Sequence, residues 1–115
     1  MDKIARYPEV AVPLYDDLAK TALSYNDLDA AEKFWLRSLA LEKKYGVSWS
    51  IAHVHAALAS VKKRRGDVPS ARSLLKKAIA AFKRHRLWDQ LSESYAELLD
   101  LNPTRSDIDA IAEYF

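Results

Sequence analysis

Three histidines are the side chains of this 115-residue sequence best suited to acid–base or metal chemistry. His53 and His55 are separated by one residue, and His85 stands between Arg84 and Arg86. Residues two apart on a helix point to different sides, and two flanking guanidiniums make a poor neighbourhood for a cation, so no metal site is expected. The absence of cysteine excludes thiolate ligands, thiol nucleophiles and disulfides, and suits a reducing compartment. Serine, histidine and aspartate all occur, but without a glycine-flanked serine elbow, a phosphate loop or an H-E-x-x-H pattern. The expectation is a non-enzyme with no catalytic residues, cofactor or metal.

Charge offers a second kind of chemistry. The formal net charge of +2 hides an uneven distribution. Residues 1–61 carry seven basic and eight acidic side chains, residues 62–89 carry ten and two, and residues 90–115 carry one and six. Lys62, Lys63, Arg64 and Arg65 end one helical stretch, where cations suit the negative end of the dipole, and Lys76, Lys77, Lys83, Arg84 and Arg86 follow on the next. This reads first as a solvated face and second as a site for an acidic partner. Nucleic acid is a disfavoured partner, because no recognised nucleic-acid module is present and Phe82 and Trp88 fall at apolar positions of the pattern.

The elements that must position these groups are helices. Half of the residues are apolar, 30% are charged, and only two glycines and four prolines interrupt the chain. No stretch approaches about eighteen consecutive apolar residues, so no membrane span is expected, and the chain reads as cytoplasmic. Shifting the sequence by forty residues places Asn26-Asp27-Leu28 over Gly66-Asp67-Val68 and Ser106-Asp107-Ile108. The same shift stacks Leu18, Leu58 and Leu98, and Ala31 over Ala71. Apolar residues flank each aspartate at three- and four-residue steps (Ile51, Val54, Leu58, Val61; Leu74, Leu75, Ala78, Ile79, Phe82), which makes each repeat a hairpin of two amphipathic helices.

Turn chemistry agrees. Asn26 and Gly66 accept the left-handed conformation that closes a helix, the following aspartate caps the next one, and Pro69 occupies its first turn. Asp29 with Glu32 offers an alternative capping box in the first repeat. The spacing predicts six helices, at about 9–25, 28–45, 48–65, 68–86, 88–101 and 106 to the end, in a single domain with repeats near 9–47, 48–87 and 88–115. Arg65-Gly66-Asp67 also spells an adhesion tripeptide. Recurrence of its aspartate at 27 and 107, without Arg-Gly before it, assigns it instead to the turn of a repeat.

These residues resemble the tetratricopeptide repeat, a helix-turn-helix unit with a small residue in the first helix and alanine and an aromatic in the second. The first unit supplies Tyr15, Leu18, Ala19, Asn26, Asp27, Ala31 and Trp35; the second supplies Leu58, Ala59, Gly66, Asp67, Ala71, Leu75 and Ala78. Small residues at Ala19 and Ala31, and at Ala59 and Ala71, would let paired helices approach closely. The period of forty exceeds the usual one of about 34, and the proline that commonly ends each unit is replaced by Lys43 and Lys83. The third unit departs further, with Leu99 and Ile111 at the alanine positions.

The resemblance implies an all-α solenoid of about three antiparallel hairpins, the last shortened. It also implies a concave groove, lined by the first helix of each unit, that binds peptides. By position the groove holds Asp16, Lys20 and Ser24, then His53, Ser60, Lys63 and Arg64, then Glu93 and Asp100, with Asp17, Ala56, Ala96 and Glu97 beside them. The family subclass that clamps chaperone C-termini uses lysine and asparagine in the first unit and lysine and arginine in the third, where this chain has Asp16 with Lys20 and Glu93 with Glu97, so that clamp is not expected.

The favoured expectation is therefore an interaction module for a peptide or helical segment of a protein partner, an acidic one being what the basic stretch would suit. Self-association through the apolar end at Ile108, Ile111, Tyr114 and Phe115 is the alternative, giving a homo-oligomer. A regulatory module touching nucleic acid or acidic partners through residues 62–86 comes third.

Overall fold

The computed structural model describes residues 8–46 and 48–114, with backbone alone at Pro8, Ser48, Trp49 and Tyr114. The described residues form six helices: α1 (Pro8–Ser24), α2 (Leu28–Tyr45), α3 (Ser48–Arg64), α4 (Val68–Arg84), α5 (Trp88–Leu99) and α6 (Arg105–Tyr114). Each packs on the next in chain order, and α5 with α6 make the slightest of these contacts. The result is an all-α stack of antiparallel hairpins, 47 × 29 × 18 Å in extent. Among the described residues no helix is long and apolar enough to cross a membrane.

The turns are built alike. Asn26 (φ 60°) and Gly66 (φ 80°) take the left-handed conformation after α1 and α3. The amides of Asp27 and Asp67 then reach back 2.9 Å to the carbonyls of Ala22 and Lys62, which gives the last turn of each helix partners. Each aspartate also opens the next helix: Asp27 accepts from the Ala30 amide at 3.1 Å, and Asp67 from the Ser70 amide at 3.3 Å. Pro69 lies in the first turn of α4, where its missing N–H has no partner to lose. Asp27 is thus the cap in the first hairpin, while Asp29 and Glu32 face Arg65 instead of forming the alternative box.

The third unit breaks the forty-residue register. Helix α5 has 12 residues where α1 and α3 have 17, and its left-handed closing residue is Asn102 (φ 49°), thirty-six residues after Gly66. Asp107 consequently falls inside α6 and does not precede it. It accepts from the Thr104 amide at 2.9 Å while its own amide donates to the Thr104 hydroxyl at 3.1 Å, a reciprocal box with threonine as the cap. The recurring aspartate is conserved in sequence spacing across the three units but does a different job in the last.

Two apolar clusters share α3. Val54, Leu58 and Val61 pack against Ala19, Ala31 and Trp35 of the first hairpin. Ala52 and Ala59 pack with Ala71, Leu75 and Phe82 of α4 and with Leu91, Tyr95 and Leu98 of α5. Ala19, Ala31, Ala59 and Ala71 are all buried, as close helix approach requires. Leu99 and Ile111 are larger, and Leu99 remains exposed, in keeping with the slight α5–α6 contact. Leu58 and Leu98 are 3% and 4% exposed, each covered by the hairpin before it, whereas the aligned Leu18 is 38% exposed because no described helix lies on that side of α1.

Candidate functional site

With two faces committed to the clusters, α3 has a third, which carries His53, Ala56 and Ser60. This face looks across to Glu93, Ala96 and Glu97 of α5, and the two helices border a cleft of about 410 Å³ floored by Leu75 and Phe82 of α4. The expected second- and third-unit residues His53, Ser60 and Glu93 are therefore brought together. His53 sets its ring edge against Phe82, with centroids 5.3 Å apart. The Ser60 hydroxyl donates to the Ala56 carbonyl at 3.4 Å, within its own helix. Alanines at 56, 57 and 96 keep the walls low above Phe82 and Leu75, which are themselves only 1% and 2% exposed.

At one end of the cleft the Lys63 ammonium lies 3.5 Å from both Glu97 and Asp100. Arg64 donates to the Leu23 carbonyl at 3.2 Å. These contacts join the C-terminal ends of α1, α3 and α5, so the three first helices run in the same direction. They also occupy Lys63 and Arg64, two of the cations that the sequence offers for an acidic partner.

The first unit contributes differently. The Asp16 carboxylate accepts the Trp35 indole N–H at 3.1 Å and pairs with Lys20 at 2.8 Å. That pairing raises the Lys20 pKa above its ordinary value, through the hydrogen bond first and the charge second. The Ser24 hydroxyl donates to the Thr21 carbonyl at 2.6 Å. None of Asp16, Lys20 and Ser24 lines the α3–α5 cleft.

Four more residues of the basic stretch are paired between hairpins as well. Lys62 meets Glu32 at 2.6 Å, Arg65 meets Asp29 and Glu32, and Arg72 meets Asp107 at 2.6 Å with Lys76 at 3.7 Å. Hydrogen bonds from Thr104 and Arg72, opposed by burial, hold the Asp107 carboxyl down at about 2. Lys83 lies over the Tyr95 ring at 5.5 Å. The basic middle and its acidic neighbours on both sides therefore complement each other within the molecule.

Glu42 and His55 have shifted titration for a different reason. Burial at the end of α2 raises the Glu42 carboxyl, with the Ser50 hydrogen bond and His53 opposing it. Burial lowers His55, and Lys77 and Lys43 lower it further, so the neutral imidazole is favoured. Among the described residues no three His, Asp or Glu side chains gather in a way that could hold a metal ion.

At the opposite end, Ile108 is 44% exposed, while Ile111 is partly buried against the second cluster and lines a cleft of about 350 Å³ between α4, α5 and α6. The side chain of Tyr114, all of Phe115 and the side chain of Trp49 lie outside the described residues. Sequence reasoning missed the exposed stripe Val10, Leu14 and Leu18 on α1, with Tyr25 just past its end. The signal was present in the repeat: the residues forty further on include Val54 and Leu58, which meet the hairpin before them.

Comparison of the chain with family models, with curated proteins and with solved structures finds no match.

Proposed function

We propose that the protein is a non-catalytic interaction module of the tetratricopeptide kind, and that it binds a peptide or helical segment of a protein partner between the first helices of its hairpins. The observation that carries this reading is the cleft between α3 and α5, where exposed polar side chains border a floor of Phe82 and Leu75. An apolar floor beneath polar walls suits side-chain anchoring with directional contacts around it. Affinity capture with the intact chain tests the reading against an Ala56→Trp variant, whose indole fills the cleft from a half-buried position at the edge of the second cluster. A captured partner should be lost from the variant while helicity is kept; equal capture by both proteins removes the groove from the account.

Self-association is the second reading. It is favoured by the exposure of Ile108 and Leu99 at the C-terminal hairpin. Sedimentation that finds only monomer at high concentration would end it.

A further inference from the structure

On the premise that the α3–α5 cleft is the binding groove, we infer that the segment it takes up is basic, with Lys or Arg side chains flanking an apolar anchor. The anchor sits over Phe82 and Leu75, and the cations meet the α5 wall. Among the residues that line the cleft the carboxylates are Glu93 and Glu97, and none is Lys or Arg. The nearest cation, Lys63, is held by Glu97 and Asp100, so three carboxylates face one ammonium. Glu93 is exposed and has no ion pair among the described residues.

The backbone adds to this charge. Since α3 and α5 run in parallel, their C-terminal ends both place partial negative charge at the Asp100 end of the cleft. The low-dielectric protein beneath the cleft focuses such a field onto the groove. Four cations of the basic stretch are engaged elsewhere: Arg64 is turned to the Leu23 carbonyl, Lys83 to Tyr95, and Arg72 and Lys76 to Asp107. Local charge at the cleft is thus opposite in sign to the +2 of the whole chain. A partner selected by the whole molecule's charge would be acidic; one selected by the cleft is basic.

The test is a titration of the intact chain with two fluorescein-labelled helical peptides that share one leucine face and carry either lysine or glutamate on the other. At low salt the lysine peptide should bind at least about tenfold more tightly than the glutamate peptide. Glu93→Lys alone, and more strongly with Glu97→Lys, should weaken lysine-peptide binding, whereas Asp109→Lys with Glu113→Lys on α6 changes the net charge equally and should leave it unaltered. Circular dichroism confirms that each variant remains helical. Tighter binding of the glutamate peptide, abolished by Ala56→Trp, would overturn the basic partner and keep the groove. Affinities for both peptides that Ala56→Trp leaves unchanged would overturn the groove and the partner together.

Discussion

Asp107 and Arg86 show how much single residues contribute to this stack. The Asp107 carboxyl is 6% exposed, bonded to Thr104 and paired with Arg72 at 2.6 Å. Its pKa falls from an ordinary 3.8 to about 2, so the folded state is favoured above the ordinary value and that stability is lost as pH drops toward the folded one. The shift corresponds to about 2 kcal/mol. Urea unfolding should show Asp107→Asn less stable than the parent at neutral pH, with the difference shrinking between about pH 5 and pH 2.5. A pH-independent difference would mean that the charge facing Arg72 is not what matters. Arg86 holds φ 56° after α4, the left-handed position that Gly66 fills after α3. A side chain there strains the backbone, and the glycine variant gains flexibility in the unfolded chain that offsets part of the relief. Arg86→Gly should therefore raise stability by about 0.5–1 kcal/mol in the same assay.

At the scale of elements, the hairpins depend on small residues where helices cross. Ala59 and Ala71 are buried together between α3 and α4. Ala71→Leu should push the two helices apart and cost about 1–3 kcal/mol, seen as a lower thermal midpoint, whereas the same change at exposed Ala80 should cost little. Equal effects at both sites would contradict the packing assigned to Ala71. The junction after α2 is tight in another way: a Cβ at Gly46 would meet the Glu42 carboxylate and lie 2.7 Å from its carbonyl oxygen, although the glycine's φ of −88° is ordinary. Helix periodicity, the Asn26 and Gly66 closures and the Asp27 and Asp67 caps were legible in the sequence, because each is fixed by residues within a few positions of one another. The register of the third hairpin was not, since the forty-residue shift sees Asp107 but not that Thr104 caps α6 three residues earlier. Side-chain pairing across hairpins was equally hidden: nothing in the spacing of Lys63 says that it meets Glu97 and Asp100.

For the whole molecule, the charge pattern changes meaning once the chain is folded. The basic middle meets acidic residues of the first hairpin through Lys62 and Arg65, and of the last through Lys63, Arg72 and Lys76. The more exposed of these, such as Lys63 with Glu97 and Asp100, contribute only about 0–1 kcal/mol each, unlike the buried Asp107, so their main effect is to match neighbouring hairpins and exclude other registers. What they leave open is the α3–α5 cleft, with an apolar floor and an excess of carboxylates. The measurement that tests this account most directly is an amide chemical-shift map of the intact chain titrated with the leucine–lysine peptide. The largest shifts should fall on Ala56, Ser60, Glu93 and Ala96, around the floor formed by Leu75 and Phe82. Shifts confined to α6 or to the outward face of α4 would contradict it.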